Sequence, residues 1–159
     1  MIVDKSFTKE CTCTQLQIQK YMAKISGPLL DRIDLHIEVP AVKYSELSSK
    51  QQAEPSSAIR ERVVRARVKQ HVRFKNRRGV YANAGMQTKD IQTYCKLDAP
   101  SEELLKMAIT KLGLSARAYD RILKAGRTIA NLAGVGDIRP EHISEAIQDR
   151  SLDRVLWEQ

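Results

Sequence analysis

The chain has 159 residues, with 27 Lys plus Arg against 19 Asp plus Glu and a formal charge of +8. That length suits one compact domain or two small ones, and the basic excess makes a polyanionic partner the first to test. Seven Gly, five Pro and 42% apolar residues exclude a low-complexity chain, while 5% aromatics disfavours an all-β sandwich or a base-stacking platform with several aromatic rings.

No run approaches the roughly 20 apolar residues that cross a bilayer, and the start MIVDKSFTKE lacks the basic-then-apolar order of a signal peptide. A soluble, cytoplasmic protein with no membrane partner is expected. Three Cys, two of them paired as Cys11 and Cys13, do not make a disulfide framework and fit reduced thiols. The phosphate-binding loop G-x-x-x-x-G-K-[ST] is absent, as are G-x-G-x-x-G, H-E-x-x-H and G-x-S-x-G. His36, His71 and His142 fall in different elements, so neither a hydrolytic triad nor a His-based metal site assembles from sequence neighbours. Any catalytic role is therefore a contribution to a site completed elsewhere.

In chain order, residues 14–25 carry Leu16, Ile18, Tyr21, Met22 and Ile25 at three and four spacing behind a Thr14 cap, which predicts a helix. Ser26-Gly27-Pro28 ends it, and a short helical turn from Pro28 to Arg32 follows. Ile33, Leu35, Ile37 and Val39 then alternate with Asp34, His36 and Glu38 up to Pro40, the one convincing strand pattern. A single strand cannot make a sheet, so it is expected to be poorly ordered, docked on the helices or paired with another chain.

Residues 48–56 read as a polar linker, and either Ser56 or Ser57 is placed to cap a long helix reaching about Lys75. A glycine-bearing loop spans 76–87, and Thr88 is placed to cap a short helix. Asp98 and Pro100 start another, whose Met and Leu stripe over 104–112 reads as core and which Gly113 stops. Ser115 caps the strongest helix, with Ala118, Ile122, Leu123, Ala125, Ile129, Ala130 and Leu132 inward and Gly134 after its end. Pro140 opens a last helix, and His36 and His142 read as surface or capping residues. The fold class is thus mainly α, a small helical bundle from about Ser57 to Asp149.

Between Ser56 and Val80 lie nine basic residues and one acid, Glu61, so this window carries the whole net charge. At about 100° per residue Arg62, Arg65, Lys69, Arg73 and Arg77 share one side of the helix, with Val64, Val68 and Val72 on another. Such a row is able to track a phosphate backbone, with steep salt dependence. It serves equally as a solvated surface whose aliphatic stems lie over the bundle, and both readings stand.

The stretch SGPLLDRIDLHIEVP at 26–40 is too particular for composition to explain. Together with CTCT at 11–14, LGLSARAYDRILKAGRTIANL at 112–132 and IRPEHISEAIQDRSLD at 138–153, it resembles the C-terminal part of the magnesium-chelatase-like AAA+ ATPases, and within them the bacterial branch of the competence M type. The resemblance implies a remnant of the α/β ATPase core at 1–47, a linker at 48–56 and a helical lid domain at 57–159. It also implies that an upstream core holds ATP and Mg2+, that adjacent subunits of a homo-hexameric ring are partners, and that this portion alone does not hydrolyse ATP. Arg32 in LLDR matches the arginine finger, which acts on the γ-phosphate of the adjacent subunit. Arg117 in LSARA matches the second sensor, which acts on the nucleotide of its own subunit. On charge pattern alone, Arg32 pairs as well with Asp31 or Asp34, and Arg117 merely decorates a helix. The family's upstream Cys-Pro-Cys stretch implies a structural zinc in the full-length protein, with Cys11 and Cys13 as half of its ligand set. Within the family, DNA branch migration and porphyrin metal insertion are alternative tasks, and the basic helix favours DNA. A stand-alone helical nucleic-acid-binding module is the reading without nucleotide chemistry.

Overall fold

The computed structural model describes residues 12–37, 39 and 53–150. The chain divides into two units, Met1–Ala53 with Arg150–Gln159 and Glu54–Asp149.

In the first unit, helix α1 (Gln15–Met22) starts where the sequence places it. Thr14 Oγ1 accepts from Gln17 N at 3.4 Å while Gln17 Oε1 accepts from Thr14 N at 2.8 Å, so two amides the helix leaves open are satisfied reciprocally. The short helix α2 (Gly27–Leu30) follows, and Arg32 N donates to Leu29 O at 3.0 Å as the chain turns out of it. Residues 33–37 form no strand, contrary to the alternating pattern. A strand exists only through ladder bonds to a neighbour, and among the described residues no neighbouring strand is present. Leu35 and Ile37 are accordingly exposed.

The second unit is a bundle built around helix α6 (Ala116–Leu132). Helix α3 (Ser56–Phe74), a 3-10 turn (Asn83–Gly85), helix α4 (Thr88–Tyr94) and helix α7 (Pro140–Gln148) pack on α6, and helix α5 (Ala99–Leu112) packs on α7. Several ends follow from local chemistry. Asp98 caps α5 by accepting from Ser101 N at 2.9 Å, and Ser115 caps α6 by accepting from Ala118 N at 3.1 Å. Gly113 ends α5 at φ 55°, a left-handed conformation that costs glycine little. His142 Nδ1 accepts from Arg139 N at 2.9 Å, so this histidine is a buried cap.

Two starts differ from expectation. Pro55, not a serine, stands before α3, and Gln87, not Thr88, stands before α4. Pro55 has fixed φ and needs no N–H there. Gln87 wins because Asp90, three residues on, accepts its backbone N–H at 3.0 Å.

Leu105, Ile122, Ile138 and Ile143 are fully buried and join Phe74, Met86, Ile91 and Leu123 in one core. Each such side chain is worth about 1.5–3 kcal/mol on removal from water. Gly126 lets α6 and α7 approach, since a Cβ there would lie 3.0 Å from Ile143 Cδ1. Two expected core positions, Leu132 on α6 and Met107 on α5, point outward instead, and Val64, Val68 and Val72 on α3 are exposed as well. In each case the buried neighbour is two positions away, Ala130, Leu105, and Ala66, Gln70 and Phe74, about 200° around the helix.

Candidate functional site

The nine basic residues of the +8 window divide between two faces of α3 and its following loop. On the inner side, Gln70 Oε1 accepts from Asn83 N at 3.0 Å, and Asn83 Nδ2 donates to Thr128 Oγ1 at 3.0 Å and Asn131 Oδ1 at 3.2 Å. Arg73 Nη1 donates to Asn83 Oδ1 at 2.7 Å and to Asn131 Oδ1 at 3.0 Å. Its guanidinium also lies 5.8 Å from the ring centroids of Phe74 and Tyr94, which meet edge to face. Burial lowers the Arg73 pKa from its ordinary value, and the same cause lowers that of buried Arg127, which donates to Gly136 O at 2.7 Å.

Arg77 grips Asp90 with both arms of its fork, Nε to Oδ1 at 2.8 Å and Nη2 to Oδ2 at 2.9 Å. This pairing, with the Gln87 amide, holds the Asp90 carboxyl below the usual carboxylate range. Lys69 Nζ donates to Gly134 O. Nearer the start of α3, Arg62 forms a bidentate pair with Glu54 at 2.7 and 3.0 Å, and Arg65 pairs with Glu61 at 2.6 Å. All five cations that helical periodicity groups as a phosphate-tracking row are thus engaged by protein oxygens, three of them within the bundle.

Four other cations occupy the outward side: Arg60, Arg67, Lys75 and Arg78 are exposed and make no side-chain hydrogen bond or ion pair among the described residues. Arg67, His71 and Lys75 recur every four residues, about 6 Å per step along the helix. Val64, Val68 and Val72 lie among them, 53%, 55% and 68% exposed. The row runs into a cavity of about 370 Å³ at the end of α3, lined by His71, Lys75, Arg77, Arg78 and the exposed ring of Tyr81.

Arg32 is exposed in the turn after α2. Arg117, also exposed, is the second residue of α6, in the first turn behind the Ser115 cap. They belong to different units. Cys13 is exposed before α1, whereas Cys11 and the linker residues 48–52 lie outside the described residues. Cys95 is buried, and burial pushes its thiol up to about 11 despite Arg127, Arg73 and Lys124 nearby. Such a thiol is a poor metal ligand, because the thiolate is the binding form. Among the described residues no group of three or more His, Cys, Asp or Glu converges. Cys11 and Cys13 supply only half of a tetrahedral zinc set, so the residues present do not by themselves fit the metal.

Residues 53–150 match the family model for the C-terminal part of magnesium chelatase subunit ChlI, and residues 3–47 match the model for magnesium chelatase subunit ChlI. The chain belongs to the magnesium chelatase ChlI family. The helical bundle is therefore the family's C-terminal lid domain. Among curated relatives, the chain is 40% identical to the competence protein ComM of Haemophilus influenzae over 141 residues, 88% of this chain and 27% of the relative. It is 37% identical to the protein YifB of Salmonella typhimurium over 145 residues, 91% of this chain and 28% of the relative. The chain thus spans little more than a quarter of the length of these ChlI-family relatives. No helix among the described residues is long and apolar enough to cross a membrane.

Sequence reasoning missed Asn83 and Asn131, which accept from Arg73 and hold it inward, Gln70, which fixes Asn83, and Arg150, which is 2% exposed. A usable signal was present on α3: Ala66, Gln70 and Phe74 recur every four residues, and Phe74 is the helix's single aromatic residue.

Proposed function

We propose that this chain is the C-terminal part of a cytoplasmic, ring-forming ATPase, in which Arg32 acts on the nucleotide of the adjacent subunit and Arg117 on that of its own. The motifs LLDR and LSARA within a ChlI-family chain carry this assignment. A guanidinium suits both tasks: it stays charged at every physiological pH, and its planar fork matches phosphate oxygens. In the transition state of phosphoryl transfer, charge spreads over the γ-phosphate oxygens, and an arginine from a neighbouring subunit stabilises it without contributing covalent chemistry. ATP and Mg2+ belong to the upstream core, because the residues here include no phosphate-binding loop. Zinc in the full-length protein requires two further ligands beside Cys11 and Cys13.

DNA processing of the branch-migration type is the task we assign to the ring. The charge distribution favours it over porphyrin metal insertion, which gives no use for a +8 stretch of helix and loop. The phosphate contact we assign to Arg60, Arg67, Lys75 and Arg78, with Tyr81 beside them, because the cations of the inner face already have partners.

The test is DNA-stimulated ATP hydrolysis by the full-length protein. Arg32→Ala is expected to lower kcat about a thousandfold with the ring intact, and unchanged hydrolysis would exclude the finger role. Changing Arg60, Arg67, Lys75 and Arg78 together to Gln is expected to flatten the dependence of log affinity on log salt by about three to four units. An unaltered slope would remove DNA from that face. A stand-alone nucleic-acid-binding module predicts DNA affinity with no effect of Arg32→Ala on any activity.

A further inference from the structure

Arg150 follows α7 by two residues, yet its side chain is only 2% exposed. Burying a guanidinium is costly unless its N–H groups find oxygen atoms, so the identity of those atoms says what it holds. Nη1 donates to Ile33 O at 3.0 Å and lies 3.4 Å from Asp34 O, and Nη2 lies 3.9 Å from Asp31 Oδ1. The two hydrogen-bonded oxygens are main-chain carbonyls just after Arg32, and the ion-paired carboxylate belongs to the residue just before it. The guanidinium therefore fixes the path of the backbone on the far side of Arg32. The near side is fixed by the bond from Arg32 N to Leu29 O at 3.0 Å. Residues 33–37 form no strand, so no sheet ladder supplies the acceptors' partners there, and Arg150 takes that place.

We propose that Arg150 is a positioning residue for Arg32, holding the 31–34 main chain so that the exposed Arg32 side chain leaves the surface from a fixed point. The proposal rests on the role assigned to Arg32 above. An arginine reaching a phosphate in another subunit is sensitive to where its Cα sits, and a displacement of about 1 Å is enough to cost about a hundredfold in rate. Lysine at position 150 is long enough to reach one of the carbonyls but lacks the fork that takes both sides of the turn.

Four variants decide the matter: Arg32→Ala, Arg150→Ala, Arg150→Lys, and the double Arg32→Ala/Arg150→Ala. In the full-length protein, with ring assembly followed by light scattering, Arg150→Ala is expected to lower kcat at least about tenfold with KM for ATP within about twofold. Arg150→Lys is expected to fall between it and wild type. The double variant is expected to match Arg32→Ala, because a residue that acts only through Arg32 has nothing left to act on. In this chain, 15N relaxation is expected to show order parameters at 31–34 falling from about 0.85 to below about 0.6 in Arg150→Ala. If Arg150→Ala does not assemble, Arg150→Lys on intact rings must still show the intermediate kcat. Wild-type kcat in both position-150 variants, a double variant that multiplies the two losses, or unchanged order parameters would overturn the proposal. Wild-type kcat in Arg32→Ala is a different failure: it removes the finger role, while the relaxation data still decide whether Arg150 holds the turn.

Discussion

On one side of α3 and its following loop, Lys69, Arg73 and Arg77 reach a carbonyl, two amide oxygens and a carboxylate of the bundle. On the other, Arg60, Arg67, Lys75 and Arg78 meet no acceptor among the described residues. The residue types are the same and the spacing is nearly so, but the inner cations are tied to fixed protein oxygens, with Arg73 partly buried and Lys69 and Arg77 still exposed, whereas the outer ones meet water. A buried cation with its acceptors is part of the fold and is strongly missed when removed, while an exposed one contributes little to stability and remains available to a ligand. The +8 window thus holds two contrasting populations, with Arg62 and Arg65 between them in exposed pairs with Glu54 and Glu61, and the outer population is the one that meets a polyanion without giving up a protein partner.

The largest effect is expected from Arg73→Ala. It leaves the Oδ1 of Asn83, a residue only 1% exposed, without its donor, and removes a cation from beside Phe74 and Tyr94. The cost is expected at about 3 kcal/mol. For a unit of this size that lowers the unfolding midpoint by about 12–24 °C, readable by circular dichroism. A drop below about 3 °C would mean that the inner cations are as dispensable as the outer ones.

Next in size is the alkaline behaviour of Cys95, which lies in the electrostatic reach of Arg73 and Arg127. Three neighbouring cations favour the thiolate, yet burial outweighs them and raises the pKa from 9.0 to about 11. The folded form therefore holds the thiol proton more tightly than the unfolded form does. Its contribution is fully present below about pH 9 and is lost as pH rises through about 11, a change on the order of 2–3 kcal/mol. Wild type minus Cys95→Ala, followed by urea unfolding between pH 8 and 11, isolates that slope. A flat difference would show that the inner side is well hydrated.

Many of the helix ends in both units were legible in the sequence because their signals are local. Thr14, Asp98, Ser115, Gly113 and Pro140 act on amides or dihedral angles within a few residues, and the structure uses each as the sequence implies. The facing of α3 was not legible in the same way. Helical periodicity separates the cations from Val64, Val68 and Val72 but leaves the buried side of α3 unassigned. The loop after α3 decides it, by presenting the Asn83 amide to Gln70 and its side-chain oxygen to Arg73. Those partners lie 10 and 13 residues away along the chain, beyond any helical periodicity. The strand pattern at 33–39 failed for a related reason, since alternation describes a face and a strand also needs a neighbour. For Arg32 and Arg117 the legible part was the motif; the Arg150 contact that secures the turn beside Arg32 spans 117 residues of sequence.

The smallest effect is expected from Arg65→Ala, and it tests the comparison from its weak side. Arg65 and Glu61 approach to 2.6 Å, closer than Arg77 and Asp90 at 2.8 Å, but their side chains are 64% and 72% exposed. If distance alone set the value of an ion pair, this one would rival Arg77 with Asp90. In water, however, both partners are solvated before they meet, and ordering two long side chains consumes most of the Coulomb gain, leaving about 0.3–0.5 kcal/mol. The unfolding midpoint is therefore expected to fall by no more than about 4 °C, and by less still at high salt. A loss comparable to that of Arg73→Ala would show that the outward face also has a partner ordering it. In that case the charges of Arg60, Arg67, Lys75 and Arg78 would not be available to DNA.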